Sequence, residues 1–363
     1  MAVPLFDTRT PIEPLRDELR ARIDGVLERG VYILGPEVAA FEEEWAQHLG
    51  AGHAVGVANG TEALTIALRA LGVGPGDEVV VPSFTFYATA EAVPPTGATP
   101  VFCDVDPETF CMTPETVRAV LTPRTRAVIV VHLFGNVAPV AEIEALGVPV
   151  VEDAAQAAGS LAPDGRRAGT LGTIATFSFF PSKNLGAFGD GGAVVTSDAA
   201  LAEQVRMLRF HGSHDKVSYE HVGYNSRLDE LQAAILRLQL PHLDEWAAGR
   251  RAAGEHYRAA GLGELVTLPV PVPGSAPAWH LYVVRHPRAD ALADALKAAG
   301  IGQKAYYRVP VHRQPAMARW APAHALPGTD EAAATHLAIP MSAVLAPAQA
   351  QEVTGAVRDA DLG

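Results

Sequence analysis

The sequence predicts an α/β fold: a mostly parallel central sheet with helices on both faces, followed by a smaller α+β domain. Short β-rich runs recur at 78–82, 101–105, 127–132, 148–153, 174–179 and 193–196. Several are apolar throughout rather than alternating, which marks strands covered on both faces. Helical stretches at 114–121 and 140–146 lie between them, and strand–helix alternation builds parallel sheets.

Taken in order, 12–29 and 36–49 carry apolar residues at helical spacing, as in Val38, Phe41, Trp45 and Leu49. A regular alternation begins near residue 54. The segment 61–71 reads as a helix with an apolar stripe through Leu64, Ile66 and Leu68, ended by Gly72. From about Leu201 the character changes. A long helical stretch at 228–260 should bend at Pro241, which cannot continue the hydrogen-bond ladder. A Pro-rich stretch at 268–277, a strand at 281–284 and a helix at 289–299 follow. This pattern predicts a large domain over 1–240 and a small one over 241–363.

The 363 residues suffice for one large or two to three modest domains. A net charge of -13, from 41 acidic and 28 basic residues, argues against a nucleic-acid partner. No apolar run is long enough to span a bilayer, and 1–9 lacks a basic stretch followed by an apolar one. A cytoplasmic protein with no membrane partner is expected. Cys103 and Cys111 form no CxxC pair, and no cluster of His, Asp or Cys stands at metal-ligand spacing. No internal repeat or low-complexity tract is visible.

In open α/β sheets, ligands sit outside the carboxyl ends of the strands. Four such ends are unusually polar here. Asn59-Gly60-Thr61 opens the 61–71 helix, where free N–H groups and the dipole suit a phosphate; an ordinary helix cap is the plainer explanation. Asp153 ends an apolar strand and, if buried, needs a partner, such as a protonated ring nitrogen or a neighbouring helix end. Lys183 stands in a Ser/Pro/Gly loop after the 174–179 strand, one of only four lysines, with Lys216, Lys297 and Lys304 in bland settings. A desolvated lysine serves as a nucleophile and proton carrier. Glycines 186, 189, 191 and 192 would let the backbone pass close to a bound group. Lysine, acid and phosphate cup together describe a pyridoxal phosphate site. Ser83-Phe84-Thr85-Phe86-Tyr87 at another strand end offers an aromatic cover for the ring.

The motifs Asn59-Gly60-Thr61, Pro82-Ser83-Phe84-Thr85-Phe86, Glu152-Asp153-Ala154-Ala155-Gln156 and Ser178-Phe179-Phe180-Pro181-Ser182-Lys183-Asn184-Leu185-Gly186 resemble those of the DegT/DnrJ/EryC1/StrS sugar aminotransferases. That family lies within fold-type I of the pyridoxal-phosphate enzymes. The resemblance runs from about Tyr32 to about residue 345 and includes Gly223–Leu228 and Tyr306–His312. It implies that Lys183 takes the cofactor aldehyde and shuttles the proton, and that Asp153 pairs with the ring nitrogen. Gln156 would bond the ring hydroxyl, Phe86 would stack on the ring, and Gly60, Thr61 and Ser178 would cradle the phosphate. Asn225 would reach the phosphate in a neighbouring subunit, implying a homodimer with shared sites. Arg227, Arg209 and His312 are the candidates for substrate binding. Asn136 departs from the Gln or His of many relatives, in a loop near the family's substrate side.

The implied reaction moves an amino group from L-glutamate to a nucleotide-linked ketosugar, and the 180–186 stretch looks more like relatives that aminate C3 than C4. Three alternatives exist: a keto-cyclitol as acceptor, a sugar dehydratase of the same fold, or a regulatory protein. The dehydratases replace the lysine, commonly by histidine. A regulator has no need to retain Lys183, Asp153 and the phosphate cup together.

Overall fold

The computed structural model describes residues 3–360. Two N-terminal helices, α1 (Arg16–Arg29) and α2 (Pro36–Leu49), each end on a left-handed glycine. The first turn of α2 is closed by the buried Glu230 carboxylate, which accepts the N–H groups of Gly35, Glu37 and Val38 at 2.8–3.0 Å. There follow β1 (His53–Val57), α3 (Gly60–Ala70), β2 (Glu78–Pro82), α4 (Ala88–Glu91), β3 (Thr99–Cys103) and α5 (Pro114–Arg118). The chain continues through β4 (Thr125–Val131), α6 (Val140–Glu144), β5 (Val150–Asp153), β6 (Ile174–Ser178), β7 (Gly192–Thr196) and α7 (Ala199–Arg209). The long helical stretch divides into α8 (Glu230–Gln239) and α9 (Leu243–Ala259) at a 3₁₀ turn holding Pro241, where the missing N–H interrupts the ladder. Last come β8 (Tyr282–Arg285), α10 (Ala289–Ala298), α11 (Pro327–Thr335), β9 (His336–Ile339) and α12 (Pro347–Asp359).

The seven-stranded sheet has the order β1-β7-β6-β5-β4-β2-β3. All neighbours pair in parallel except those of β7, which runs against both β6 and β1. Register sets Asp153 opposite both Val131 on β4 and Thr176 on β6, so the carboxyl ends of these strands open onto one edge. Strands β2, β5 and β7 are buried at every residue, as strands covered on both faces are.

One face of the sheet packs on α2 and α8 through Phe41, Trp45, Phe177, Phe179 and Leu236; the other packs on α3 and α7 through Ile66, Leu68, Val79, Phe102 and Leu208. Trp45 meets the rings of Phe177 and Phe179 edge-on, with centroids 5.0 and 5.9 Å apart. Each such pair adds about 0.5–1.5 kcal/mol beyond its buried area. The contacts stiffen the strand that carries Ser178 and leads into Lys183. A further core, with Tyr257, Leu292, Leu337, Ile339 and Val353, surrounds the two-stranded antiparallel pair β8-β9 and also takes in Val3. Among the described residues, no helix is long and apolar enough to cross a membrane.

Candidate active site

Each piece of the site is placed by a strand end. Asn59 turns the chain from β1 into α3 and caps that helix, its side-chain oxygen accepting the Glu62 N–H at 2.9 Å. The cap leaves the Gly60 and Thr61 N–H groups without an acceptor among the described residues, at the positive end of the helix dipole. Gly60 lies against Ser178 so closely that a Cβ would come within 2.7 Å of the serine Cβ. Only glycine lets β6 approach this turn. The cap explanation and the anion cup are therefore both present in one motif.

Alternation along β5 sends its two acids to opposite sides. Glu152, wholly buried, accepts the N–H groups of Gly169, Leu171 and Gly172 at 2.7–2.8 Å and lies 2.8 Å from His132 Nε2. The Ala138 N–H donates to His132 Nδ1, so the proton of that ring sits on Nε2 and points at Glu152. Asp153 faces the open edge. Its carboxylate accepts the Thr89 hydroxyl at 2.8 Å and the Ala155 N–H at 3.2 Å, and Thr85 extends the hydroxyl chain. Burial pushes the Asp153 carboxyl up, against the pull of Thr89, the Ala155 N–H and the Lys183 charge. Lys183 enters on the loop after β6; burial lowers its ammonium to about 8, with Asp153 acting in the opposite sense. These are two opposed, poorly hydrated charges. The arrangement suits a group that takes an amine at one end and offers a protonated nitrogen at the other.

Between them lies a cavity of about 650 Å³, within the roughly 300–1,000 Å³ of small-molecule sites. Its walls include Gly60, Thr61, Phe86, Asp153, Gln156, Ser178 and Lys183. Phe86 is half exposed at the mouth and meets Tyr307 at a 5.7 Å ring separation, whereas Phe84 is spent in the core against Phe110 and Phe134. Gln156 is locked by the Phe134 N–H on its oxygen at 2.7 Å, and its Nε2 donates to the Tyr307 hydroxyl at 3.3 Å. The amine, the acid, the unpartnered N–H pair and the tight glycine all fit pyridoxal phosphate. Among the described residues, no group of three or more His, Cys, Asp or Glu is placed to hold a metal.

Other expected residues lie elsewhere. Arg209 is buried and donates to the Glu42 carboxylate and, at 2.7 Å, to the Gly56 carbonyl, clamping α2 to β1. That ion pair consumes the charge expected for substrate. His312 is turned away too, with its Nδ1 against the Ser83 hydroxyl and its ring near Phe102. Arg227 and Asn225 do not line the cavity of their own chain. Asn225 is exposed, and the adjacent Ser226 hydroxyl accepts the Ala58 N–H beside the cup. Asn136 does not line the large cavity: its amide donates to the Thr109 and Val270 carbonyls and accepts the Val272 N–H, stitching two loops together. The Gly186 and Gly192 backbones press on the chain itself, where a Cβ would meet the Pro181 carbonyl oxygen or Asn59 at 2.5–2.6 Å.

Sequence reasoning missed Thr89, Tyr307 and His280. Thr89 sits one turn beyond Phe86 at α4, a spacing that could have suggested it. Both Tyr307, which lies in the Tyr306–His312 stretch of the resemblance, and His280 come from the small C-terminal part, and for His280 no local signal points to the cavity. His280 is buried, stacks on Phe6 at 5.7 Å, and is held well below the usual histidine range by burial and by the Lys183 and Arg250 charges.

The model of the DegT/DnrJ/EryC1/StrS aminotransferase family matches residues 14–358. A Streptomyces venezuelae protein named dTDP-3-amino-3,4,6-trideoxy-alpha-D-glucose transaminase is 48% identical, over 98% of this chain and 96% of its own. A Geobacillus stearothermophilus protein named pleiotropic regulatory protein is 44% identical over 97% of both chains. An Acidithiobacillus ferrooxidans protein, a UDP-N-acetyl-3-dehydro-alpha-D-glucosamine 3-aminotransferase, is 45% identical over 98% of this chain and 97% of its own. The crystal structure of S. venezuelae DesV with a ketimine intermediate superposes with a TM-score of 0.96 at 47% identity, covering 100% of this chain and 99% of that one. The chain belongs to the DegT/DnrJ/EryC1/StrS aminotransferase family.

Proposed function

We propose that this protein is a pyridoxal-phosphate-dependent transaminase that moves an amino group from L-glutamate to the C3 carbon of a nucleotide-linked ketosugar. The observation that carries the reading is the Lys183–Asp153 pair facing one cavity beneath the α3 N-terminus. When bound, the cofactor supplies an electrophilic carbon for the amine and a ring that accepts the electron pair of a broken Cα–H bond. Lys183 Nζ, poised near neutrality by desolvation, holds the cofactor and carries the proton between carbons. Asp153, oriented by Thr89 and the Ala155 N–H, keeps the ring nitrogen protonated. Gly60, Thr61 and Ser178 receive the phosphate, Gln156 the ring hydroxyl, and Phe86 one ring face. Two curated relatives carry a 3-amino or 3-aminotransferase name, one dTDP-linked and one UDP-linked, which supports C3 and leaves the base open.

The aminated enzyme, mixed in single turnover with 3-keto and 4-keto nucleotide sugars and with a keto-cyclitol, tests this. Return of the cofactor to its aldehyde form by the 3-ketosugar is expected. Return only by the 4-ketosugar or the cyclitol would move the acceptor, and return by none would favour the regulatory reading.

The reading includes a cytoplasmic homodimer with shared sites. Cys103 and Cys111 are buried and unpaired, which suits a reducing compartment. Leu27, Val31, Tyr32 and Ile33 are exposed together, as are Val217, Tyr219 and Val222, and such patches mark interfaces. Asn225, and Arg227 beside it, would then complete the neighbouring subunit's cavity. Sedimentation should show the active species as a dimer, with Asn225→Ala loosening cofactor retention but not assembly; an active monomer would refute the shared site.

A further inference from the structure

A smaller cavity, about 110 Å³, adjoins the large one and shares Phe6, Ser182 and Lys183 with it. Its walls include Arg250 on α9. This arginine is more than nine-tenths buried, yet no carboxylate lies within ion-pair distance of it among the described residues. Nη1 donates to the Trp279 carbonyl at 3.1 Å, while Nε is buried with no partner. Among the described residues the other buried arginine, Arg209, is paired with Glu42, whereas Arg250 has no carboxylate. An uncompensated buried cation is among the most costly features a fold can carry. Burial alone lowers the Arg250 guanidinium to about 10. Lys183 adds to the positive field there, and the one acid among the described wall residues, Asp7, caps its own turn through the Arg9 and Thr10 N–H groups.

Size limits the occupant. The space exceeds the roughly 10–15 Å³ a single water needs but falls far short of the roughly 300 Å³ of a whole-ligand site. It admits one end of a small molecule, not a nucleoside diphosphate.

We propose that this cavity is the carboxylate subsite for the amino donor, with Arg250 as its anchor. The proposal rests on the transaminase reading above, and it replaces Arg209 as the source of the local positive charge that an anionic substrate needs against a net charge of -13. The forked guanidinium matches a carboxylate, and the shared wall at Lys183 sets the donor's amine toward the larger cavity.

Calorimetric titration of the holoenzyme with glutarate and with its uncharged diamide, glutaramide, tests this directly. Glutarate should bind at least tenfold tighter than glutaramide. Arg250→Gln should weaken glutarate by about tenfold to a hundredfold and raise KM for glutamate alike, while KM for the ketosugar stays unchanged; Arg250→Lys should fall between. Equal glutarate affinity in Arg250→Gln would reduce Arg250 to an anchor for Trp279. Equal binding of glutarate and glutaramide by the unaltered protein would overturn the subsite even if the variants fail to fold. Arg250-dependent glutarate binding in a protein that transfers no amino group would uphold the subsite and sink the transaminase reading.

Discussion

Lys183→Ala is expected to lower amino transfer by at least about 10⁴-fold, the upper end of what positioned proton transfer contributes, because the side chain anchors the cofactor as well. The other three lysines cannot stand in: none lines the cavity, and Lys216 lies over the Phe210 ring at 4.7 Å. The same lowered ammonium predicts a pH dependence. Attack on an aldehyde needs the neutral amine. With its value near 8, about a tenth of Lys183 is neutral at pH 7, against fewer than about one in a thousand for an ordinary lysine. Capture of cofactor by the apoprotein, followed by absorbance in a stopped-flow mixer, should therefore speed up from pH 6.5 to about 8 and level off above. A rate still climbing at pH 10 would place the reacting amine in water, not in this cavity.

Asp153→Asn should leave the cofactor bound but slow transamination by on the order of 10²–10³-fold, the size found when one preorganised electrostatic partner of a developing charge is removed. Asparagine keeps the volume and can still meet the Thr89 hydroxyl and the Ala155 N–H, so packing is preserved while the charge is lost. A Thr89→Val variant should fall between, since the carboxylate remains but loses one orienting bond. Single-turnover rates with glutamate distinguish the cases. Near-normal turnover by Asp153→Asn would make this carboxylate a structural cap.

The strands and most helices were legible because their signals are local. Apolar runs mark β2 to β6, Asn59 caps α3, and Pro241 breaks the long helix where a missing N–H must. The direction of β7 was not legible, because parallel and antiparallel burial produce the same apolar run. Strand β9 hid as well, being four residues whose partners are β8 and a single bridge to Lys304. In the site, residues on strand ends could be read because a polar group closing a buried strand needs a reason. Arg209 and Asn136 show the limit of that argument. Each was polar and well placed in sequence, yet each is consumed by partners more than a hundred residues away: Glu42 and Gly56 for one, Val270 and Val272 for the other. His280 and Arg250 reach the cavities only through the packing of the C-terminal part against the sheet, which no local pattern encodes.

The central claim is that Lys183 alone bears the cofactor, opposite Asp153. Borohydride reduction of the holoenzyme, followed by proteolysis and mass mapping, tests it most directly. The account predicts a pyridoxyl label on the peptide containing Lys183 and on no other. A label on Lys216, Lys297 or Lys304, or none on a protein that still turns over, would contradict it.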